Sequence, residues 1–153
     1  MVQLESKTPD ELTAWLPAIF EHYVSERIKA GEDAAVATKS SEEQRHQLFP
    51  NDAPAVGQFV MSVLHDNVEV GTLWMGRPFS GAADTWFVFD IEITKEYRGR
   101  GYGRAAMEAA ELWAREQGGT RVALNVFGPN LAARSLYDSL GYEVLATSMF
   151  KDI

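Results

Sequence analysis

Between Tyr97 and Gly103 the chain reads YRGRGYG, with glycine at every second position from 99 to 103. Glycines so placed let the backbone adopt positive φ and let a ligand approach closely. The helix that should follow adds unpaired N–H groups and the positive end of its dipole. Such a segment can cradle a phosphate. From Lys95 to Arg104 four basic residues stand against one acid, a local net of +3 in a chain of net charge −8. That reversal favours an anionic ligand. Two other phosphate motifs fail on spacing: no Gly-Lys-Ser/Thr closes a P-loop, and the third glycine of a dinucleotide fingerprint would fall at 104, where Arg104 stands. The competing reading is a tight turn with solvated arginines, but three glycines and two arginines in six residues exceed what a turn needs.

The run before this loop, Thr85 to Thr94, is rich in aromatic and β-branched residues and reads as a strand. Strict alternation would put Phe87, Phe89, Ile91 and Ile93 on one face and Trp86, Val88, Asp90, Glu92 and Thr94 on the other. Two carboxylates on a central strand are expensive unless their face opens on water or a cleft, so either could serve as a general base. Glu92 is the first candidate and Asp90 the second; the competing reading for Glu92 is a solvated or ion-paired carboxylate.

These residues need positioning elements. Val2 to Ser6 suits a short edge strand, and Thr8, Pro9 and Glu11 read as N-cap, N1 and N3 of a helix running to about Lys29 before Gly31. Glu32 to Leu48 suggests a looser second helix, with SSEEQ as another start, and Pro50 to Pro54 a loop. Phe59 to Leu64 and Val68 to Met75 flank His65, Asp66 and Asn67 as an antiparallel hairpin. A helix follows over Arg104 to Gln117, ended by Gly118 and Gly119. Then come a strand at Arg121 to Val126, a helix at Leu131 to Leu140 closed by Gly141, and a last strand at Tyr142 to Phe150. No repeat or linker divides the chain, which predicts one domain over residues 1–153 with one mixed sheet flanked by helices.

Composition excludes several functions. With 14 basic and 22 acidic residues the chain repels nucleic acid and anionic membrane. It has no cysteine, hence neither disulfide nor thiolate nucleophile, and His22, His46 and His65 lack the spacing of a zinc site. No metal is expected. Acids near the start and the absence of a long apolar run argue against a signal peptide or a membrane span, so a cytoplasmic location is expected. Trp15, Trp74, Trp86 and Trp113 read mainly as core, with Trp74 and Trp86 as conceivable cleft walls.

Arg98, Gly99, Arg100, Gly101, Tyr102 and Gly103 resemble the Arg/Gln-x-x-Gly-x-Gly/Ala signature of the GNAT superfamily of N-acetyltransferases. Asn130, Ala133, Leu136, Tyr137, Gly141 and Tyr142 are similar to its later pattern, Asn-x-x-Ala-x-x-Leu-Tyr followed by a Gly-aromatic pair. The resemblance covers about Trp86 to Phe150. It implies an α/β fold with a mixed, mostly antiparallel sheet and a splayed strand pair at the cofactor site. It further implies acetyl-coenzyme A as co-substrate, its pyrophosphate on residues 98–103, and backbone contacts from Ile91 and Ile93 to the pantetheine arm. Asn130 would bind the cofactor or cap its helix, or both. Tyr137 would protonate the departing thiolate, against the alternative of a packed core tyrosine.

The implied reaction is direct attack of an amine on the thioester in a ternary complex. The acceptor would be a small amine, with a protein or peptide amino group and a non-catalytic acyl-coenzyme A sensor as alternatives. A homodimer is compatible with the resemblance. The stretch from about Lys29 to Trp86, which would shape the acceptor site, carries no motif that names the acceptor.

Overall fold

The computed structural model describes residues 1–153. Its elements are, in order, β1 (Gln3–Ser6), α1 (Pro9–Lys29), α2 (Ala34–Leu48), β2 (Gln58–His65), β3 (Val68–Gly76), β4 (Thr85–Ile93), α3 (Tyr102–Glu116), β5 (Arg121–Leu124) and α4 (Leu131–Ser139). The sheet order is β1-β2-β3-β4-β5. The first three pairings are antiparallel, and β5 joins β4 in parallel through the α3 crossover. This is the mixed, mostly antiparallel α/β architecture that the sequence predicts.

Local chemistry accounts for the elements. Thr8 and Glu11 form the reciprocal capping box of α1, with the Thr8 N–H donating to Glu11 Oε2 at 2.7 Å. Asp66 and Asn67 take φ of 50° and 62°, the two-residue turn that matches the twist of the β2–β3 hairpin. The α2 helix starts upstream of SSEEQ because the Asp33 carboxylate accepts the Ala35 and Val36 N–H groups at 3.0 and 3.2 Å.

Each face of the sheet has its own core. On one, Met61, Val63, Leu73, Met75, Trp86 and Val88 meet Ala106, Met107, Ala110 and Ala114 of α3, whose alanines let helix and sheet approach closely. Tyr137 and Leu136 of α4 join that core. On the other, α1 and the end of α2 cover Val60, Trp74 and Phe89.

Three expectations fail. The face assignment in β4 is overturned by a β-bulge: Trp74 pairs with Asp90 but Met75 pairs with Val88, leaving Phe89 as the extra residue. One added residue reverses the phase beyond it. Ile91 and Ile93 therefore pack with Trp86 and Val88 on the α3 side, while Asp90, opposite Trp74, shares its face with Glu92 and Phe89. The last strand, Tyr142 to Phe150, does not form. After the Tyr142 N–H donates to the Tyr137 carbonyl, the chain makes no ladder, and Val144, Leu145, Met149 and Phe150 are exposed. Its alternating pattern has propensity, but the segment lies in register with no strand edge, and strand propensity is mostly the cross-strand packing that such register provides. Trp74 and Trp86 are both buried and wall no cleft.

Candidate active site

The glycine loop lies where the sequence predicts. Past β4 the turn Lys95–Tyr97 leads to Gly99 and Gly101, with φ of 74° and 83°, and α3 begins at Tyr102 with no side-chain cap. The backbone N–H groups from Gly99 to Arg104 donate to no acceptor within the chain. A Cβ at either Gly99 or Gly101 would meet nothing within 4 Å, so the loop faces open space while its φ values exclude most side chains. Free donors at a helix start suit a pyrophosphate.

The arginines differ in freedom. Arg98 turns back, its Nε donating to the Ile93 carbonyl at 2.8 Å and its Nη2 reaching Glu92 at 3.3 Å. Arg104 donates to Ser139 and ties α3 to α4. Arg100 extends from the loop near the Tyr97 ring, 5.8 Å from its centroid.

Beside the loop the sheet splits. Pairing of β4 with β5 ends at Val88 and Leu124, so from Phe89 onward β4 has a free edge, and Ile91 and Ile93 lie on it. An extended ligand arm can hydrogen-bond there as a strand would. Phe89 and Asn125, the next residues after the last pair, both line a cavity of about 350 Å³ whose floor includes Phe87 and Ala123.

The two carboxylates occupy different environments. Asp90 is largely buried, its Oδ2 finds no partner, and burial first and the Glu92 charge second push its pKa up to about 7. Glu92 stands in solvent and pairs with Arg98. Tyr137 is buried, and its phenol is pushed up by burial and then by Asp90, which keeps it protonated at neutral pH. It therefore lies within the field of Asp90. Asn130 caps α4, its Oδ1 accepting the Ala133 N–H at 3.2 Å.

Sequence reasoning missed Tyr23. This α1 residue donates its hydroxyl to the Phe89 carbonyl at 2.7 Å, and its phenol is pushed up by burial and by Asp90. It thus holds the bulge from outside the sheet. Nothing in the sequence joins it to a residue 66 positions away.

Comparison with known proteins decides the family. The model of the acetyltransferase (GNAT) family matches residues 16–142. The chain belongs to the GNAT family. Among its relatives, the uncharacterized N-acetyltransferase YycN of Bacillus subtilis is 28% identical over 157 aligned positions, covering 99% of each chain. The uncharacterized N-acetyltransferase YdgE of the same organism is 26% identical, covering 98% of this chain and 97% of its own. The crystal structure of YycN superposes with a TM-score of 0.88 at 27% identity over 100% of this chain and 99% of that one. The aminoglycoside acetyltransferase AAC(6')-Iy, in complex with a bisubstrate analogue of coenzyme A and acetylneamine, shares the fold alone. It gives a TM-score of 0.61 at 14% identity over 100% of this chain and 98% of its own. As a GNAT enzyme, this protein catalyses acetyl-coenzyme A-dependent N-acetylation. No helix of the structure is long and apolar enough to cross a membrane.

Proposed function

We propose that this GNAT enzyme acetylates the amino group of a small molecule by direct attack on acetyl-coenzyme A, with Asp90 as base and Tyr137 as acid. The observation that carries this reading is a largely buried carboxyl with an unpartnered oxygen, on β4 just past its last pair with β5, whose charge acts on the buried phenol of Tyr137. Asp90 takes the role that sequence reasoning gave first to Glu92, because Glu92 is solvated and held by Arg98.

The co-substrate supplies an acetyl thioester. The free N–H groups of Gly99, Arg100, Gly101, Tyr102 and Gly103 suit its pyrophosphate, with Arg98 and Arg100 adding positive charge. The β4 edge at Ile91 and Ile93 suits its extended arm, and Asn130 at the α4 cap is a further contact. An acceptor ammonium gives a proton to Asp90, and the freed nitrogen lone pair forms the bond to the acetyl carbon. As the carbon–sulfur bond breaks, the phenolic proton of Tyr137 goes to sulfur, the second proton lost by the acylated nitrogen restores the phenol, and the proton on Asp90 passes to solvent. A carboxyl group of pKa about 7 suits this work because half of it is ionised at neutral pH.

The fold-level likeness to an aminoglycoside acetyltransferase supports a small amine acceptor without naming it. A cytoplasmic location belongs to the same reading. Incubation with acetyl-coenzyme A and a panel of amines, followed through free thiol and product mass, tests it. Thiol release that requires an amine supports transfer; tight coenzyme A binding with no transfer would make the protein a sensor.

A further inference from the structure

The cavity beside the site has a composition that runs against the chain. Although 22 of 153 residues are acidic, no Asp or Glu lines it, and Arg121 is its one charged side chain. Its walls are aromatic. Phe89 stacks on buried Trp74 with centroids 4.7 Å apart, and meets Phe87 and Phe79 edge-to-face at 5.0 and 6.1 Å. The stack fixes Phe89 and leaves apolar surface toward the cavity. At one end Phe89 and Asn125 open onto the gap between β4 and β5, one residue from Asp90; toward the other, Thr85 and Arg121 pair across the strands.

These features sort amines by the charge they carry away from the reacting nitrogen. A single ammonium directed at the gap exchanges its proton with Asp90 and leaves an uncharged body to cover the phenylalanines. A polycation would bring further ammonium groups into a pocket that offers no carboxylate and one guanidinium, so each would lose hydration without a partner.

We infer that the acceptor is a primary monoamine on an aromatic or aliphatic body, its amino end at the β4–β5 gap and its body against Phe79, Phe87 and Phe89. Polyamines and aminoglycosides are poor acceptors, although the fold is shared with aminoglycoside acetyltransferases. This rests on the amine-acetylation reading above.

The test compares phenethylamine and hexylamine with spermine and kanamycin, by thiol release at fixed acetyl-coenzyme A. Phenethylamine should exceed both polycations in kcat/KM by at least about tenfold. Phe79 is more than half exposed, so Phe79→Ala should fold normally and raise KM for phenethylamine with little change for spermine. Ala123→Asp, which sets a carboxylate on the floor, should narrow the ratio. Equal or better turnover of the polycations, or an unchanged ratio in both variants, overturns the acceptor class and leaves the transfer reading intact. No thiol release with any of the four amines overturns both.

Discussion

Replacing Asp90 with Asn should remove activity and add stability, with both effects set by the same carboxyl group. Burial and the Glu92 charge raise the Asp90 pKa from 3.8 to about 7 in the folded protein. Between those values the folded state holds a proton that the unfolded state has released. Stability therefore falls as pH rises from about 4 to 7 and changes no further above it. A displacement of about three pKa units corresponds to about 4 kcal/mol, an upper value for what the ionised form costs the fold at pH 8. Asn has nearly the same shape and no charge, so Asp90→Asn should melt close to wild type at pH 4. At pH 8 it should melt higher, by up to about 10 °C for a chain of this size.

Activity should move the other way, falling about 10² to 10⁴-fold at neutral pH. The wild-type plot of log kcat/KM against pH should break near 7, its slope dropping by one as Asp90 completes ionisation, and the variant should lack that break. Calorimetric melting of both proteins from pH 4 to 8 and initial rates across the same range provide the assay. A melting difference independent of pH would refute the burial argument, and a variant retaining both rate and break would move the base elsewhere.

Other substitutions probe the surrounding parts. Glu92→Gln should cost less than about tenfold in kcat, since its carboxylate is solvated and serves Arg98; a loss as deep as that of Asp90→Asn would return the base to Glu92. Gly101→Val meets open space but must hold a φ of 83°. It should lower stability by about 1–2 kcal/mol and coenzyme A affinity by more than tenfold in titration calorimetry. Tyr23→Phe leaves the Phe89 carbonyl without its donor and should cost about 1–3 kcal/mol in urea unfolding. Tyr137→Phe should slow turnover about 10 to 10³-fold with acetyl-coenzyme A affinity nearly unchanged, and the deficit should shrink with a more acidic thiol leaving group.

Much of the fold was legible because its signals are local. The capping box at Thr8 and Glu11, the Asp66–Asn67 turn and the Gly118–Gly119 stop of α3 each depend on residues within a few positions of one another. The glycine loop was legible for the same reason. The missing last strand shows the converse: a segment with strand propensity needs an edge to pair with, and edges belong to tertiary structure. The cavity proposed for the acceptor was illegible because its lining comes from the 78–82 loop, alternate residues along β4 and the β5 stretch, and Leu145, four stretches with no common spacing.

The bulge at Phe89 explains why the candidate base changed. FVFDIEI is a regular alternation, and alternation predicts that Asp90 and Glu92 share a face with Val88. The ladder inserts one residue opposite Trp74, and that insertion is chosen by partners distant in sequence: the Tyr23 hydroxyl on the Phe89 carbonyl and the Trp74 ring stacked on Phe89. The shift moves both carboxylates together to the α1 face, yet it leaves them unequal. Asp90 falls beside the buried Trp74, while Glu92, two residues nearer the loop, reaches solvent and Arg98. Two carboxyls two positions apart are thus divided mainly by depth: burial first and the Glu92 charge second raise Asp90 to a pKa of about 7, at which it can exchange protons at neutral pH, while Glu92 is held as a counter-charge to Arg98 at the start of the glycine loop.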